Sequence, residues 1–544
     1  MLARRAFLLV SNGKVPVMGF DAIVIGAGHN GLTAANYLAM GGLSVCVLEQ
    51  RHIVGGAAVS EEFHPGFRNS IASYMVSLLR NEVIEELRLE DYGYKVTVVE
   101  SGFYPDSDGN YLLLDGDAAH NEAQISRFSD SDFASMEVFD EIVAKAGSVL
   151  STQWLREPPK LHGGGLHDLV NSIKLGLDIR KLDSDDRWRF LQLLLGPPNT
   201  LIERWFESDK IKALIAARTT PGNYASLHQP GASLAMLHHA VGEVAGGKGD
   251  WGLVHGGMGA ITQAMAASAQ DKGVVIKTNA SVKSVIIDEG RATGVRLEDG
   301  AELHAPIIVA NTDPNRTFLK LVGAEHLPES FARDIEIFRQ ESASLRINLA
   351  LSGLPDFACL PGTEIAQHHR SSIMIVESKD HVENAYQSAR RGIPAAPPII
   401  DALIPSTIDD TLTDEPGTHV MSLLCKYMPY DLADGKHWDN EKERVFEQIL
   451  DYLQTLIPNI RDILVGYQCL TPLDLERMFG MTRGDISHGK LEPDQMFSVR
   501  PHPDAAQYAT PIDGLYLCGS GAHPGGGVTG APGRNAAKKI LSQR

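Results

Sequence analysis

The chain has 544 residues, 43% of them apolar and 22% charged, an ordinary globular composition that excludes disorder for the chain as a whole. Its formal charge is −19, from 49 basic and 68 acidic residues with no long basic run, which excludes a sequence-independent grip on nucleic acid. Mean hydropathy is −0.10, and no stretch approaches the roughly 18 apolar residues of a membrane-spanning helix.

The first twenty residues hold Arg4, Arg5 and Lys14 and no acid; Asp21 is the first. Ala6–Val10 is too short for the apolar region of a secretory signal. Two readings stay open: a mitochondrial presequence, or translation beginning at Met18. Phe20–Ile25 then reads as a buried strand, GAGHNG follows, and Leu32–Met40 has helical spacing up to Gly41-Gly42. Ser44–Leu48 is a second buried strand ending in Glu49, so the chain opens as a βαβ unit.

From about Asp130 to Glu243 the pattern is mainly helical. Phe133–Leu150, Leu166–Leu177, Asp186–Leu195 and Lys210–Ala217 carry apolar residues three and four apart. This stretch reads as a helical cap or substrate lobe. After His255-Gly256-Gly257-Met258-Gly259, a helix is expected over Ile261–Ala269 and strands over Val274–Thr278, Val282–Ile287, Thr293–Leu297, Glu302–His304 and Ile307–Ala310. Strands follow at Arg346–Leu351, Pro398–Ile404 and His419–Lys426, with a helix over Asn440–Ile457. Gly514–Cys518 is the last strand, and a glycine-rich loop leads to a closing helix that starts near Val528 or Arg534.

The 52 glycines are the compositional outlier. Gly26-x-Gly28-x-x-Gly31 follows a strand and opens a helix, and Glu49 ends the next strand. In that setting Gly26 permits the tight turn, Gly28 lets backbone N–H groups approach a pyrophosphate, and Gly31 lets helix and strand pack closely. Glu49 can accept from a ribose diol and disfavours a 2′-phosphate. Gly55-Gly56, just past the second strand, would let the chain pass the same pyrophosphate, with Arg51 on a phosphate or along an adenine. Seven glycines within Gly519–Gly533 repeat the order strand, loop, helix. The central glycines lack the fingerprint and its acid, so one dinucleotide is expected, not two. The pairs His238-His239 and His368-His369 lack spaced carboxylate partners, so no metal is expected. The five cysteines are scattered, the closest two 44 positions apart, and no dithiol redox centre is expected.

Together GAGHNGL, VGGAAV, GGMGAI, TNASV, LEDG and LCGSGAHPGGGVTGAPGRNAA resemble the family of pyridine nucleotide-disulfide oxidoreductase domain-containing protein 2, a relative of the phytoene desaturases and, further off, of the amine oxidases. ASYMVSLLR, RWFESDKIKA, FLKLVG, KYMPY and LTPLDLERMFG agree, so the likeness runs from about Phe20 to the C-terminus. It implies an α/β fold in which a discontinuous Rossmann-like FAD-binding domain is interleaved with an α+β substrate domain carrying a helical cap. The expected parts are an N-terminal extension (1–19), FAD-binding parts at 20–105, 246–320 and 491–544, a helical cap part at 106–245 and a substrate part at 321–490.

The same resemblance implies FAD held by Gly26, Ala27, Gly28, Asn30, Gly31, Glu49, Gln50, Arg51, Gly55, Gly56 and Ala57, by the backbone near Val282, and by Gly519, His523, Gly525, Gly526, Gly527, Val528 and Gly530. It implies a mitochondrial matrix location and a cytochrome c oxidase subunit as partner for a eukaryotic member, and a cytoplasmic location for a bacterial one. The family name promises a redox disulfide that these cysteines do not offer. The expected activity is hydride transfer between a substrate C–H bond and the flavin N5, or the reverse reduction or an isomerisation. The alternative is an FAD-stabilised scaffold or regulatory partner with little turnover. His523 and Tyr74 are the candidates for contacting the reacting centre; the alternative is that His523 only shapes its loop and Tyr74 is core. The Leu, Ile and Met content of the cap points to an apolar small-molecule substrate, entering between cap and central sheet.

Overall fold

A computed structural model describes residues 19–161 and 163–544, the side chain of His167 excepted. The extension expected over 1–19 therefore lies, apart from Gly19, outside the described residues, as does Met18.

A five-stranded parallel sheet is built from four-residue and three-residue strands in the order Val275–Lys277, Val45–Leu48, Ala22–Ile25, Ile307–Ala310, Leu515–Leu517. Its register sets Ala22 beside both Val45 and Ile307. Ile23, Val24, Ile308 and Val309 have no exposed surface, as parallel strands covered on both faces require. Helices His29–Met40, Gly259–Asp271 and Ala531–Ser542 pack together beside it. The closing helix starts at Ala531, after Gly530 at φ +70°, not at Val528 or Arg534. Strands from both ends and the middle of the chain thus make one α/β unit.

The second layer is a seven-stranded sheet in the order Leu464–Leu470, Ser344–Leu351, His419–Lys426, Ile399–Leu403, Ser372–Ile375, Gly102–Pro105, Tyr111–Leu114. All its neighbours are antiparallel except Ser372–Ile375 with Gly102–Pro105. The boundary expected between 105 and 106 falls inside the antiparallel pair Gly102–Pro105 and Tyr111–Leu114, whose ladder hydrogen bonds keep both strands in this sheet. The segment 106–245 is accordingly not wholly helical.

The two central strands are buried along their whole length, yet their faces differ. Leu345, Ile347, Leu349, Met421, Leu423 and Cys425 pack with Phe446 and Ile449 of the helix Trp438–Leu456. With period 2, the opposite face receives Arg346, Asn348, Ser422 and Lys426. A buried face that is polar must find partners there, and this one covers the hairpin of strands Ser60–His64 and Phe67–Ser70, where Asn348 Nδ2 donates to the Ser70 carbonyl at 3.1 Å.

The close packing of the helices His29–Met40 and Ala531–Ser542 depends on Gly533. A Cβ there would lie 2.1 Å from the Asn30 carbonyl oxygen and 3.0 Å from the Ala34 nitrogen, both backbone. Gly533→Ala should therefore destabilise the protein by about 1–3 kcal/mol through forced separation of the helices. Gly176→Ala is the control: nothing lies within 4 Å of its Cβ, and a helix-interior alanine should stabilise by up to roughly 1 kcal/mol. Urea unfolding checks both; an unaffected Gly533→Ala midpoint would contradict the packing.

Candidate functional site

A cavity opens at the C-terminal ends of the parallel strands, where Gly26, Glu49, Asn311 and Ser520 follow four of them. Ligands of such sheets sit at that end because the loops and helix N-termini converge there. The polar face of the seven-stranded sheet contributes Asp401 and Leu424 to the opposite wall.

The first loop has the geometry its spacing predicts. Gly26 adopts φ +93°. A Cβ on Gly31 would sit 2.1 Å from the Gly26 oxygen, so the helix could not begin where it does with any larger residue. The Gly55-Gly56 turn lies directly on this loop: Gly55 N–H donates to the Ala27 carbonyl at 2.9 Å, and Gly55 and Gly56 take φ +135° and +56°. Glu49 is buried, and its two oxygens accept from the Ala27 and Arg51 N–H groups, each at 2.9 Å. The carboxylate thereby ties the first loop to the end of the second strand while still bordering the cavity.

Arg51 pairs with Glu61 at 2.7 Å and lies over the Phe479 ring at 5.2 Å. Its Nη1 is buried with no partner in the protein. Gln50 lies beside it, 3.5 Å from Arg316 Nη2. Ala57, Val282, Gly526, Gly527 and Val528 also reach the cavity wall. Ala27, Asn30, Gly31, Gly55, Gly519, Gly525 and Gly530 stand behind it, shaping the loops without lining the cavity. Gly519 is one such case: its Cβ would meet the Asn311 oxygen at 2.8 Å.

His523 is not at the cavity. The glycine-rich loop turns Gly526–Val528 inward and His523 outward, where Nε2 meets the Gln153 carbonyl at 3.1 Å and the ring nears Phe497. Burial lowers its pKa to about 4, so the ring stays neutral. Its Nδ1 is buried without a partner in the protein.

Tyr74 does line the cavity. Its hydroxyl donates to Asp401 Oδ2 at 3.5 Å, and Lys426 Nζ holds the same oxygen at 2.9 Å. Arg346 lies over its ring at 4.8 Å and is fixed by the Leu423 carbonyl and Ser422 Oγ, both at 2.7 Å. Burial first, then the Asp401 charge, pushes the Tyr74 pKa well up, so the hydroxyl keeps its proton. Across the cavity His239 stacks on Trp251 at 5.4 Å. Burial, then Lys426, lowers His239 to about 4.

Sequence reasoning missed Asp401, Arg346, Lys426, His239 and Trp251, which come from three strands, a helix end and a loop with no shared motif. It also missed His29 and Asn311. His29 sits inside the GAGHNG stretch, and its variable position hid it; burial lowers its pKa to about 4. Asn311 follows a buried strand, and its Nδ2 donates to the Gly26 carbonyl at 3.3 Å. The central glycine loop serves packing instead, since its Met258 and Gly259 N–H groups donate to the Ser70 and Ser60 hydroxyls, each at 2.9 Å. Among the described residues no group of three or more His, Cys, Asp or Glu could hold a metal ion.

The chain is 38% identical over 543 residues to the pyridine nucleotide-disulfide oxidoreductase domain-containing protein 2 of Rattus norvegicus, covering 96% of this chain and 93% of that one. It belongs to that family. A limonene dehydrogenase subunit of Castellaniella defragrans is 28% identical over 541 residues, with 96% and 94% of the two chains covered. Residues 24–87 match a family model described as an NAD(P)-binding Rossmann-like domain. The solved structure of putrescine oxidase bound to putrescine shares the fold, with a TM-score of 0.61 at 16% identity over 97% of this chain and 99% of that one.

The family is named for an oxidoreductase domain, residues 24–87 carry a Rossmann-like dinucleotide-binding region, and the crevice fits a dinucleotide such as FAD. Arg51 Nη1 is an unpartnered buried donor, Glu49 has lone pairs to spare for a ribose diol, and two glycine turns leave backbone bare beside them. The disulfide in the family name has no counterpart here: all five cysteines are free. Burial pushes the Cys46 and Cys359 thiols up to about 11, which leaves them unreactive near neutrality.

Glu49→Ala removes the acceptor of two loop N–H groups together with the ribose contact. FAD affinity should fall about 10- to 100-fold, with Glu49→Gln intermediate. Titration of apoprotein with FAD by fluorescence measures it; equal affinity in Glu49→Ala would refute the assignment.

Proposed function

We propose that this protein oxidises a C–H bond of a small molecule held between the cofactor crevice and the polar face of the seven-stranded sheet. The observation that carries the reading is that one cavity is lined both by Glu49 and Arg51 of the glycine-turn loops and by Tyr74 and Asp401. FAD, when bound, supplies the hydride acceptor.

The chain's own residues supply position and proton handling. Lys426 fixes the Asp401 carboxylate, and Tyr74 donates to that carboxylate while bordering the cavity. A proton released as a C–H, O–H or N–H group is oxidised has an acceptor in Asp401, and a proton to be returned has a donor in the Tyr74 hydroxyl. Neutral His239 and Trp251 form an aromatic wall that orients a flat or apolar substrate and excludes water. Leu78, Met75 and Leu424 extend that wall, which supports an apolar substrate body with a small polar end. The limonene dehydrogenase subunit, a relative named for an apolar substrate, agrees with this reading. Among the described residues no helix is long and apolar enough to cross a membrane. A mitochondrial matrix location with a cytochrome c oxidase subunit as partner for a eukaryotic copy, or a cytoplasmic location for a bacterial one, rests on family resemblance alone.

Anaerobic incubation of the flavin-loaded protein with a panel of terpenoids, alcohols and amines tests the proposal by loss of flavin absorbance. A substrate should be found whose reduction rate falls about 100-fold or more in Asp401→Asn, with FAD content unchanged. NADH should not reduce the flavin rapidly. A flavin that no compound reduces and no acceptor reoxidises would overturn the enzyme reading.

A further inference from the structure

Two consecutive helices of the cap, Leu166–Arg180 and Ser184–Leu195, carry apolar rows that face away from the protein. On the first, Leu166, Leu169, Val170, Ile173 and Leu177 recur at three- and four-residue steps, one stripe of the helix. All five are exposed, Leu166 at 78%, Leu169 at 57% and Ile173 at 52%. The face turned inward is mainly polar, with Ile179 its apolar contact to the cap core. Asp168 accepts from Gln507 Nε2 at 2.7 Å, and Asn171 donates to the Glu157 carbonyl at 3.3 Å. Asp178 is bound by Thr152, Arg156 and Lys181. The helix is therefore pinned by its polar side and offers its apolar side outward, the inverse of a surface helix in a globular protein. The second helix adds Trp188 at 62% exposure, with Leu191 and Leu195 three and seven residues on.

The rim of this face says what covers it. Lys160, Lys174, Arg180 and Arg187 are exposed on these helices and the turns that flank them, against the exposed carboxylates Asp183 and Asp185, while Lys181 is held by Asp178. Asp168, Asp178 and Asp186 turn inward to partners. A locally basic, apolar, tryptophan-bearing surface stands on a chain whose net charge is −19. A second copy of the chain placed face to face would set these cations against their own counterparts. An anionic lipid surface meets both features at once: acyl chains take the leucines and headgroups take the lysines and arginines. We propose that the helices 166–180 and 184–195 dock this protein peripherally on an anionic membrane surface. The acidic remainder of the chain is repelled from that surface, which fixes the orientation.

Cosedimentation of the full flavin-loaded protein with vesicles tests this. Binding is expected to vesicles of phosphatidylcholine with phosphatidylglycerol, and to fall at least tenfold on vesicles of phosphatidylcholine alone or in high salt. Leu169→Gln/Ile173→Gln/Leu177→Gln should abolish binding with unchanged circular dichroism and FAD content, since these side chains are exposed. Lys174→Gln/Arg180→Gln should weaken it by roughly fivefold or more per charge while leaving the apolar face intact. The proposal is overturned if the wild type ignores anionic vesicles, or if it is a dimer in solution that the triple variant converts to monomer. Neither result bears on flavin reduction by substrate, so the oxidoreductase reading is tested separately.

Discussion

Everything at the site depends on how closely three pieces of backbone approach one another. The Gly31 position leaves 2.1 Å between a notional Cβ and the Gly26 oxygen, and Gly55 N–H bonds to Ala27 across the same gap. Glu49 then locks the loop by accepting from Ala27 and Arg51 together. These contacts require glycine at Gly26, Gly31 and Gly55-Gly56 for reasons internal to the protein, before any cofactor is considered. The same contacts leave Arg51 Nη1 without a partner. Arg51 Nη1, His29 Nε2, His239 Nδ1, His488 Nδ1 and Asp401 Oδ1 are all buried without a protein partner on residues of this crevice, and a crevice lined in that way is arranged around a bound group.

The second layer answers a different constraint. Its central strands are buried on both faces, and only one face is apolar. The other carries Arg346, Ser422 and Lys426, and their partners are Asp401, the Leu423 carbonyl and the Tyr74 ring. The network holds Tyr74 protonated and Asp401 fixed at the cavity wall. Substrate chemistry is thus placed on a rigid sheet, while the cofactor is placed on loops whose positions glycine packing dictates. The two halves meet only because the chain passes between the layers several times, from residues 20 to 110, around 250 and 320, and again near 480.

The parallel sheet was legible because its strands are short, apolar and followed by glycine-rich turns or a polar residue, a local signal. Strands at Ser372–Ile375 and Leu464–Leu470 were not, since neither is followed by a glycine-rich turn and the second is partly exposed, with Gly466, Tyr467 and Gln468 interrupting its apolar residues. The first-loop residues were legible from spacing alone. The opposite wall was not: Tyr74 and Asp401 are 327 residues apart, one in a loop and one on a strand, and only the tertiary fold brings them together. His523 shows the limit of motif reading, because a glycine-rich loop has two sides and sequence does not say which faces the ligand. The row Leu166–Leu177 shows the same limit for helices. Its period is that of a core helix, and only the anchoring of Asn171 and Asp178 reveals that it points outward.

The most direct measurement is the flavin content of the purified protein, by release on denaturation and chromatographic identification. The account predicts stoichiometric FAD, recovered with the native protein and restored to apoprotein on reconstitution. A colourless protein that takes up no FAD, or that retains only a nicotinamide nucleotide, would contradict it.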